Sequence, residues 1–293
     1  MNYKEFQEEL LQKVTEKLDS HTTIAITQSS GNNGVLRSGL EFKTPQSKST
    51  GTVSLEGYYQ AFLDGMELSQ IVKEIVNLPE QLQVNAKRMT DDLSDFNQIK
   101  DRIIFKLVNA KKNAERLADM PHLPFFDLSI VYSVVFNVSL SGVASLPIHN
   151  LHLRHWQKDT APLHACAIKN GLRIFPPTLE PMSSIIRESS PDIEDEYDLD
   201  PAYVLSNKEL HWGATSILYE QVLKDIGDFL QMNYFVAPSS IHETIIYPEL
   251  IGMSKEELDV TIQFVNRTNV RPEEILSDHA YYYDRKQGRL VIP

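Results

Sequence analysis

The residues most suggestive of chemistry lie in one short segment of the chain. Ser240, His242 and Glu243 follow an apolar run that Pro238 interrupts, and a second apolar run begins after them. A hydroxyl, an imidazole and a carboxylate are the nucleophile, base and orienting acid of a hydrolytic triad. On an extended strand, however, Ser240 and His242 would share one face while Glu243 pointed to the other. The local sequence therefore supplies the residue types of a triad without bringing them together.

The same segment also fits the start of a helix. Ser240 and Glu243 match the S-x-x-E capping box, in which both side chains bind backbone amides. The G-x-S-x-G nucleophile elbow is absent from the chain. The sequence favours the capping interpretation and leaves open a serine hydrolase built on Ser240 and His242. The acid of such a triad would come from elsewhere, with Asp127 and Asp278 as candidates.

A second candidate site is a group of imidazoles and the single thiol of the chain. It comprises His149, His152, His155, His164 and Cys166. Zinc accepts imidazole and thiolate ligands together. Because a spacing of three residues turns the helix by about 300°, the first three histidines form a drifting stripe that closes poorly on one ion. The H-E-x-x-H pattern and the glycine patterns that cradle phosphates are absent. We therefore expect neither a metal nor a cofactor.

Aromatic side chains provide candidates for partner contacts. Trp156 and Trp212 fall in predicted loops or helix starts, where amphipathic aromatic residues can anchor a partner. Tyr282 is the middle residue of three consecutive tyrosines. Alternate side chains of a strand face opposite ways, so all three tyrosines cannot point inward. We predict that Trp156, Trp212 and Tyr282 contact a ligand or partner.

Charge is concentrated in one segment. Residues 188–200 hold seven carboxylates and no lysine or arginine, which is more than half of the net charge of −12. We predict a solvated acidic loop. Phosphate-backbone binding needs a basic face, and the cationic residues at 100–112 are predicted to form one solvated helix face. We therefore expect no nucleic-acid partner.

The remaining composition indicates a cytoplasmic protein. A single cysteine fits a reducing compartment. No apolar run approaches the roughly 18 residues that a membrane helix needs, so we expect no membrane association. The opening residues have a charged amphipathic pattern without the apolar region of a secretory signal.

Hydrophobic periodicity predicts an α+β fold, with mixed helices and short antiparallel sheets in two closely associated lobes. Helices are predicted at 2–19, 58–76, 95–117, 161–170, 182–187, 214–230 and 254–265. Strands are predicted at 22–27, 35–42, 50–55, 125–138, 142–148, 203–206, 234–237, 281–284 and 290–292. The prolines near 118–124 mark the boundary, which gives an N-terminal lobe at 1–120 and a C-terminal lobe at 121–293.

Several short blocks carry a resemblance to a known family. They are Pro124–Tyr132, Ile148-His149-Asn150 with Trp156, Tyr203–Asn207, Gly213-Ala214, Pro238–Glu243 and Leu276-Ser277-Asp278. The chain resembles an uncharacterised bacterial family defined by a domain of unknown function, often encoded near mobile elements of gut anaerobes. The resemblance covers nearly the whole chain, and the serine-histidine block is its most specific part. It implies a fold and a genomic context, and it implies no catalytic residue.

The sequence favours a non-enzymatic binding or protein-interaction module, with an accessory role for a mobile element. The partner would be a protein or a small molecule. Two alternatives stay open, namely the serine-type hydrolase on Ser240 and His242 and an acidic nucleic-acid mimic acting as an antirestriction factor. The second alternative depends on the carboxylates at 188–200.

Overall fold

The computed structural model describes residues 1–18, 21–43, 51–77, 93–139, 142–189, 202–238 and 240–292. The fold is α+β with antiparallel sheets, as the periodicity predicts. The chain divides into two compact units, Met1–Asp95 and Phe96–Pro293. No helix of the described ranges is long and apolar enough to cross a membrane.

The first unit combines three helices with a three-stranded sheet. Its helices are α1 (Tyr3–Thr15), α2 (Glu56–Leu63) and α3 (Leu68–Val76), and its strands, in the order β1-β2-β3, are β1 (Thr23–Ser30), β2 (Leu36–Lys43) and β3 (Gly51–Ser54). Asn2 and Glu5 form a capping box that fixes the start of α1. Phe6, Leu10 and Val14 recur at helical spacing and are buried against the other elements of this unit.

The second unit contains a four-stranded sheet built around one long strand. Its strands are β4 (Ile103–Asn109), β5 (His122–Phe125), β6 (Leu128–Ser139) and β7 (Gly142–Pro147). The β6 strand pairs with β4 along one edge and with β5 and then β7 along the other. Helix α7 (Thr160–Ile174), which follows α6 (Asn150–Trp156), contacts β4. The Asn170 side chain donates hydrogen bonds to the carbonyl oxygens of Lys100 and Ile103, which ties α7 to the start of that strand.

A six-stranded antiparallel sheet completes the second unit, in the order β13-β12-β10-β11-β9-β8. Its strands are β8 (Pro177–Pro181), β9 (Tyr203–Asn207), β10 (Tyr234–Ala237), β11 (Thr244–Pro248), β12 (Tyr281–Asp284) and β13 (Arg289–Val291). The helices beside it are α8 (Met182–Ser189), α9 (Glu220–Leu230) and α10 (Lys255–Thr268). Tyr234, Tyr281 and Tyr283 are among its most deeply buried side chains. Pairing of β9 with β11 places the end of β9 beside the start of β11.

The prediction of one long helix at 95–117 is wrong. The chain forms α4 (Phe96–Ile99), a 3-10 turn at Lys100–Arg102, strand β4, and α5 (Ala114–Leu117). Residues 103–108 are apolar except for Lys106, and their β-branched members suit a strand that is covered on both faces. The cationic residues at 100–112 therefore do not share a helix face.

The prediction that a helix begins at Ser240 is also wrong. Ser240 forms an isolated bridge with Ile275, and the residues that follow form β11. The β-branched run Thr244-Ile245-Ile246 pairs with β10 on one side and β9 on the other, which stabilises it as an inner strand. The segment is thus the connection of a β-hairpin.

Two further predictions concern the lobe boundary and the acidic segment. The predicted boundary at residue 120 falls inside the second unit. Strand β4 precedes this residue and strand β6 follows it, and the two strands pair in one sheet. The acidic segment 188–200 lies outside the described residues from position 190 onward.

Candidate functional site

Two loops meet at one end of the six-stranded sheet. The first is the 207–213 loop, which follows β9, and the second is the 240–243 loop, which precedes β11. Because β9 and β11 are antiparallel neighbours, with Leu205 opposite Thr244, both loops emerge at the same end of the sheet. Functional residues are concentrated on loops that a rigid scaffold positions. We call these two segments the paired loops.

A buried asparagine shapes the 207–213 loop. The Asn207 side chain donates to the carbonyl oxygen of His211 at 2.7 Å. Its Oδ1 atom accepts hydrogen bonds from the backbone amides of Glu209 at 3.1 Å and His211 at 3.3 Å. The side chain of Asn207 is buried, so these bonds replace hydration that the amide has lost. The loop conformation is therefore fixed from inside.

The backbone on both sides of His211 is strained. Leu210 and Trp212 each have a φ of 54°, in the left-handed region that bulky residues rarely adopt. Each such residue costs about 1–2 kcal/mol. Strain of this kind persists only where surrounding contacts hold it, and it is concentrated at functional sites. The side chain of Leu210 is exposed, with 68% of its surface accessible to solvent.

The paired loops are joined through their backbones. The Ser206 hydroxyl donates to the carbonyl oxygen of His242 at 2.9 Å, and the Ala214 amide donates to that of Ile241 at 3.3 Å. Gly213 lies between them. A Cβ atom there would overlap the His242 carbonyl oxygen and the Ser206 hydroxyl, and would be 2.8 Å from Ser206 Cα. Only glycine permits this close approach.

The imidazole of His242 contacts both backbone and side-chain groups. Its Nδ1 atom is 3.3 Å from the carbonyl oxygen of Leu210, so this nitrogen carries the proton of the hydrogen bond. Its Nε2 atom is 3.7 Å from a carboxylate oxygen of Glu274. The ring of His211 lies 6.0 Å away, centroid to centroid. The site thus combines two imidazoles with a carboxylate.

Glu243 adds a second carboxylate beside this pair. Its side chain stays exposed, but nearby protein atoms desolvate the carboxyl group and raise its pKa. The positive charge of His242 opposes that shift, and the carboxylate of Glu274 reinforces it. Glu274 in turn lies 3.8 Å from the guanidinium of Arg271.

Ser240 does not present its hydroxyl to the imidazole. Its Oγ atom accepts a hydrogen bond from the backbone amide of His242 at 3.1 Å, and only 8% of the residue is exposed. This is a serine turn, which stabilises the loop locally. The structure brings Ser240, His242 and Glu243 into one loop, and their catalytic role stays a prediction.

The two candidate acids are engaged elsewhere. Asp127 accepts hydrogen bonds from the Ser277 hydroxyl at 2.7 Å and from the Tyr281 hydroxyl at 2.5 Å. Asp278 accepts one from the Asn266 side chain at 2.8 Å. These bonds connect the β5–β6 hairpin and α10 to the segment that precedes β12.

Lys106 is a site residue that the sequence analysis missed. Its Nζ atom lies 3.6 Å from the centre of the Trp212 ring and 2.9 Å from the Ser145 hydroxyl. Burial, reinforced by the positive charge of Arg116, lowers the pKa of Lys106 to about 7. The sequence feature that could have indicated this site is a lone lysine inside the apolar run 103–108. The erroneous helix assigned that lysine to a solvated face.

Trp212 is the one predicted aromatic contact that lies in the paired loops. Trp156 is buried and stacks on His152 at 5.5 Å. The Tyr282 hydroxyl donates to Glu249 at 2.9 Å. Partner contacts by Trp156 and Tyr282 stay predictions.

The histidines near residue 150 form local pairs. His149 Nδ1 lies 2.9 Å from Asp119 Oδ2, and the His149 amide donates to His152 Nδ1 at 2.9 Å. Across the described part of the chain, no group of three or more histidine, cysteine, aspartate or glutamate side chains could hold a metal ion.

Comparison with known families gives one result. The family model described as DUF5688, a family of unknown function, matches residues 3–285. The chain belongs to this family. No curated protein and no solved structure matches the chain.

Proposed function

We propose that this DUF5688 protein is a non-enzymatic binding module that holds a protein partner through the paired loops. The observation that carries this proposal is the strained backbone at Leu210 and Trp212, on either side of His211. Three hydrogen bonds to the buried Asn207 side chain keep this conformation in place. A backbone conformation that is unfavourable by itself and is held in place by surrounding contacts is accounted for by recognition.

The chemistry of the surface specifies the partner. Leu210 supplies an exposed apolar side chain, and Glu243 and Glu274 supply carboxylates beside the two imidazoles. A partner segment with an apolar residue next to a lysine or arginine would bury Leu210 and pair with the carboxylates.

The position of the serine hydroxyl supports binding over hydrolysis. A serine nucleophile is activated by a hydrogen bond to the imidazole of its base. Ser240 instead accepts a hydrogen bond from the His242 amide, and the His242 ring contacts Leu210 and Glu274. Among the described residues, no hydroxyl hydrogen-bonds to this ring.

A matched pair of leucine variants tests the binding surface. Leu210→Ser alters the paired loops, whereas Leu250→Ser alters a leucine that is 78% exposed in the 3-10 turn Glu249–Ile251. The tagged proteins would be cross-linked in cells that express the native gene, and the captured proteins quantified by mass spectrometry. We expect a partner that both wild type and Leu250→Ser retain and that Leu210→Ser loses. Equal capture by all three proteins would refute a binding role for these loops.

A second experiment addresses the hydrolase directly. The protein would be treated with a fluorophosphonate probe, with Ser240→Ala and His242→Ala as comparison variants. We expect no labelling of Ser240. Labelling of Ser240 that His242→Ala abolishes would replace the binding module with a serine hydrolase.

A cytoplasmic location and an accessory role for a mobile element complete the proposal. The single cysteine supports the first. The sequence blocks shared with a family encoded near mobile elements support the second. Genomic neighbourhoods tell the two possibilities apart, because an accessory protein would recur beside transfer or recombination genes, and a housekeeping protein would not.

A further inference from the structure

Among the described residues, none provides a counter-ion for the amino group of Lys106. Its one hydrogen bond within the described structure goes to the neutral Ser145 hydroxyl, and no described carboxylate forms an ion pair with it. A buried ammonium group without an anionic partner is strongly destabilised, and it tends to lose its proton. The Trp212 ring offers a cation only a partial replacement for water.

Apolar side chains lie on the same face of the sheet as Lys106. Lys106 lies opposite Val131 in the sheet, on the same face as Ile104. Ile104, Val135, Phe175 and Trp212 belong to one hydrophobic cluster on that face. The residue as a whole is half-buried, so part of its side chain is accessible from solvent.

The surroundings match those of reactive lysines. A lysine amine becomes nucleophilic when it is desolvated in an apolar pocket or lies near another cation. Both conditions hold for Lys106, because its amine is desolvated beneath the Trp212 ring and the positive charge of Arg116 acts on it. A substantial fraction of the Lys106 amine is therefore unprotonated near pH 7, and only the unprotonated amine attacks a carbonyl carbon.

We propose that Lys106 is a covalent binding site for a small uncharged aldehyde, which it holds as an imine beneath Trp212. The Nζ lone pair attacks the carbonyl carbon, and the carbonyl π electrons move to oxygen. The amine loses a proton and the oxygen gains one, which gives a carbinolamine. Loss of water from this adduct forms the C=N bond. Amine and aldehyde thus give imine and water, without any change in oxidation state.

Two neighbours have roles in this reaction. The Ser145 hydroxyl, 2.9 Å from Nζ, is placed to pass the proton from nitrogen to oxygen. Trp212 covers the amine and would exclude bulk water from the imine. The apolar cluster favours a short, uncharged carbon chain over an anionic carbonyl compound.

Reductive trapping tests the site in wild-type protein. The folded protein would be incubated at pH 7 with propionaldehyde and cyanoborohydride, and the N-propylated lysines mapped by peptide mass spectrometry. Lys111 provides an internal control, because it is exposed and lies two residues beyond β4. At pH 7 a lysine with a pKa of about 7 is half neutral, whereas an ordinary lysine is neutral in roughly one molecule in 2,500. Allowing for hindered access, we expect Lys106 to react at least about 10-fold faster than Lys111.

The pH dependence of trapping separates an activated amine from a merely accessible one. The rate at Lys106 should level off above about pH 7, whereas the rate for a lysine of ordinary pKa keeps rising through pH 9. Ser145→Ala should slow trapping at Lys106 and leave Lys111 unchanged. Trapping at Lys106 that is no faster than at Lys111 in the folded protein would overturn the proposal. Because the comparison is made within one wild-type molecule, it does not depend on any variant folding.

Discussion

Replacing Lys106 by methionine should change how the stability of the second unit depends on pH. Methionine keeps the length and most of the volume of the side chain but cannot ionise. In the wild type, burial holds the pKa of Lys106 at about 7, against an ordinary value near 10.5. Between these two values, the unfolded chain binds a proton at this lysine and the folded chain does not. The free energy of unfolding of the wild type must therefore rise with pH across this range.

The size of the effect follows from the two pKa values. Each pH unit in which the two states differ by one proton contributes about 1.4 kcal/mol. Folded Lys106 is still partly protonated at pH 6.5, and unfolded Lys106 begins to lose its proton near pH 9.5. Between these pH values the lysine should contribute about 3 kcal/mol, and about half of that if solvent reaches the amine. Below pH 6 the contribution no longer changes, because both states are protonated.

Urea unfolding followed by tryptophan fluorescence provides the assay. Both tryptophans, Trp156 and Trp212, lie in the second unit, so the signal reports that unit. The quantity of interest is the free energy of unfolding of the wild type minus that of Lys106→Met, measured from pH 6.5 to 9.5. We expect this difference to increase by about 1.5–3 kcal/mol, and the same comparison for the exposed Lys111→Met to stay flat. Parallel profiles for wild type and Lys106→Met would refute the inference that this amine is desolvated.

Three further substitutions test the framework of the second unit by urea or thermal unfolding. Gly213→Ala should destabilise it by more than about 2 kcal/mol, because its Cβ would overlap backbone and hydroxyl atoms of the joined loops. A change in the free energy of unfolding below about 0.5 kcal/mol would contradict the close approach. Asn207→Ala should cost about 2–3 kcal/mol, because two amides and a carbonyl lose their partner; an effect no larger than that of Lys208→Ala, at an exposed neighbour, would contradict this role. For Asp259, burial raises the pKa, but hydrogen bonds from a lysine, a backbone amide and a histidine outweigh it and lower the pKa overall. Its contribution to the free energy of unfolding is present above the pKa of the unfolded chain, near 4, and is lost as the pH falls below that value. Asp259→Asn should therefore flatten the fall of the free energy of unfolding at acid pH. An unchanged fall at acid pH would argue against these bonds.

The sequence predicts local elements well where one face of the chain is solvated. The capping box at Ser254, with Glu257 three residues later, places the start of α10 correctly. The strands predicted at 281–284 and 290–292 likewise form the antiparallel hairpin of β12 and β13. In such segments the period of the apolar residues reflects the surface against which they pack.

The same reasoning fails where a segment is enclosed on both faces. Residues 103–108 contain apolar residues at almost every position, and these fit a helical stripe as easily as a strand. The choice depends on β6, which is more than 20 residues away and supplies the hydrogen-bonding partners. The segment at Ser240 is similar, since its capping pattern competes with pairing of β11 to β9 and β10.

The sequence by itself determined the α+β class, the residue types of the 240–243 loop, and the acidic character of residues 188–200, because these depend on composition and local period. Only the tertiary structure decided that His242 lies beside His211 and Glu274, that Ser240 binds a backbone amide, and that Lys106 lies beneath Trp212. Except for the local turn at Ser240, those contacts join residues that are 30 or more positions apart in the chain. Such contacts arise from strand pairing and from the close approach that a glycine permits, neither of which leaves a periodic signal in the chain.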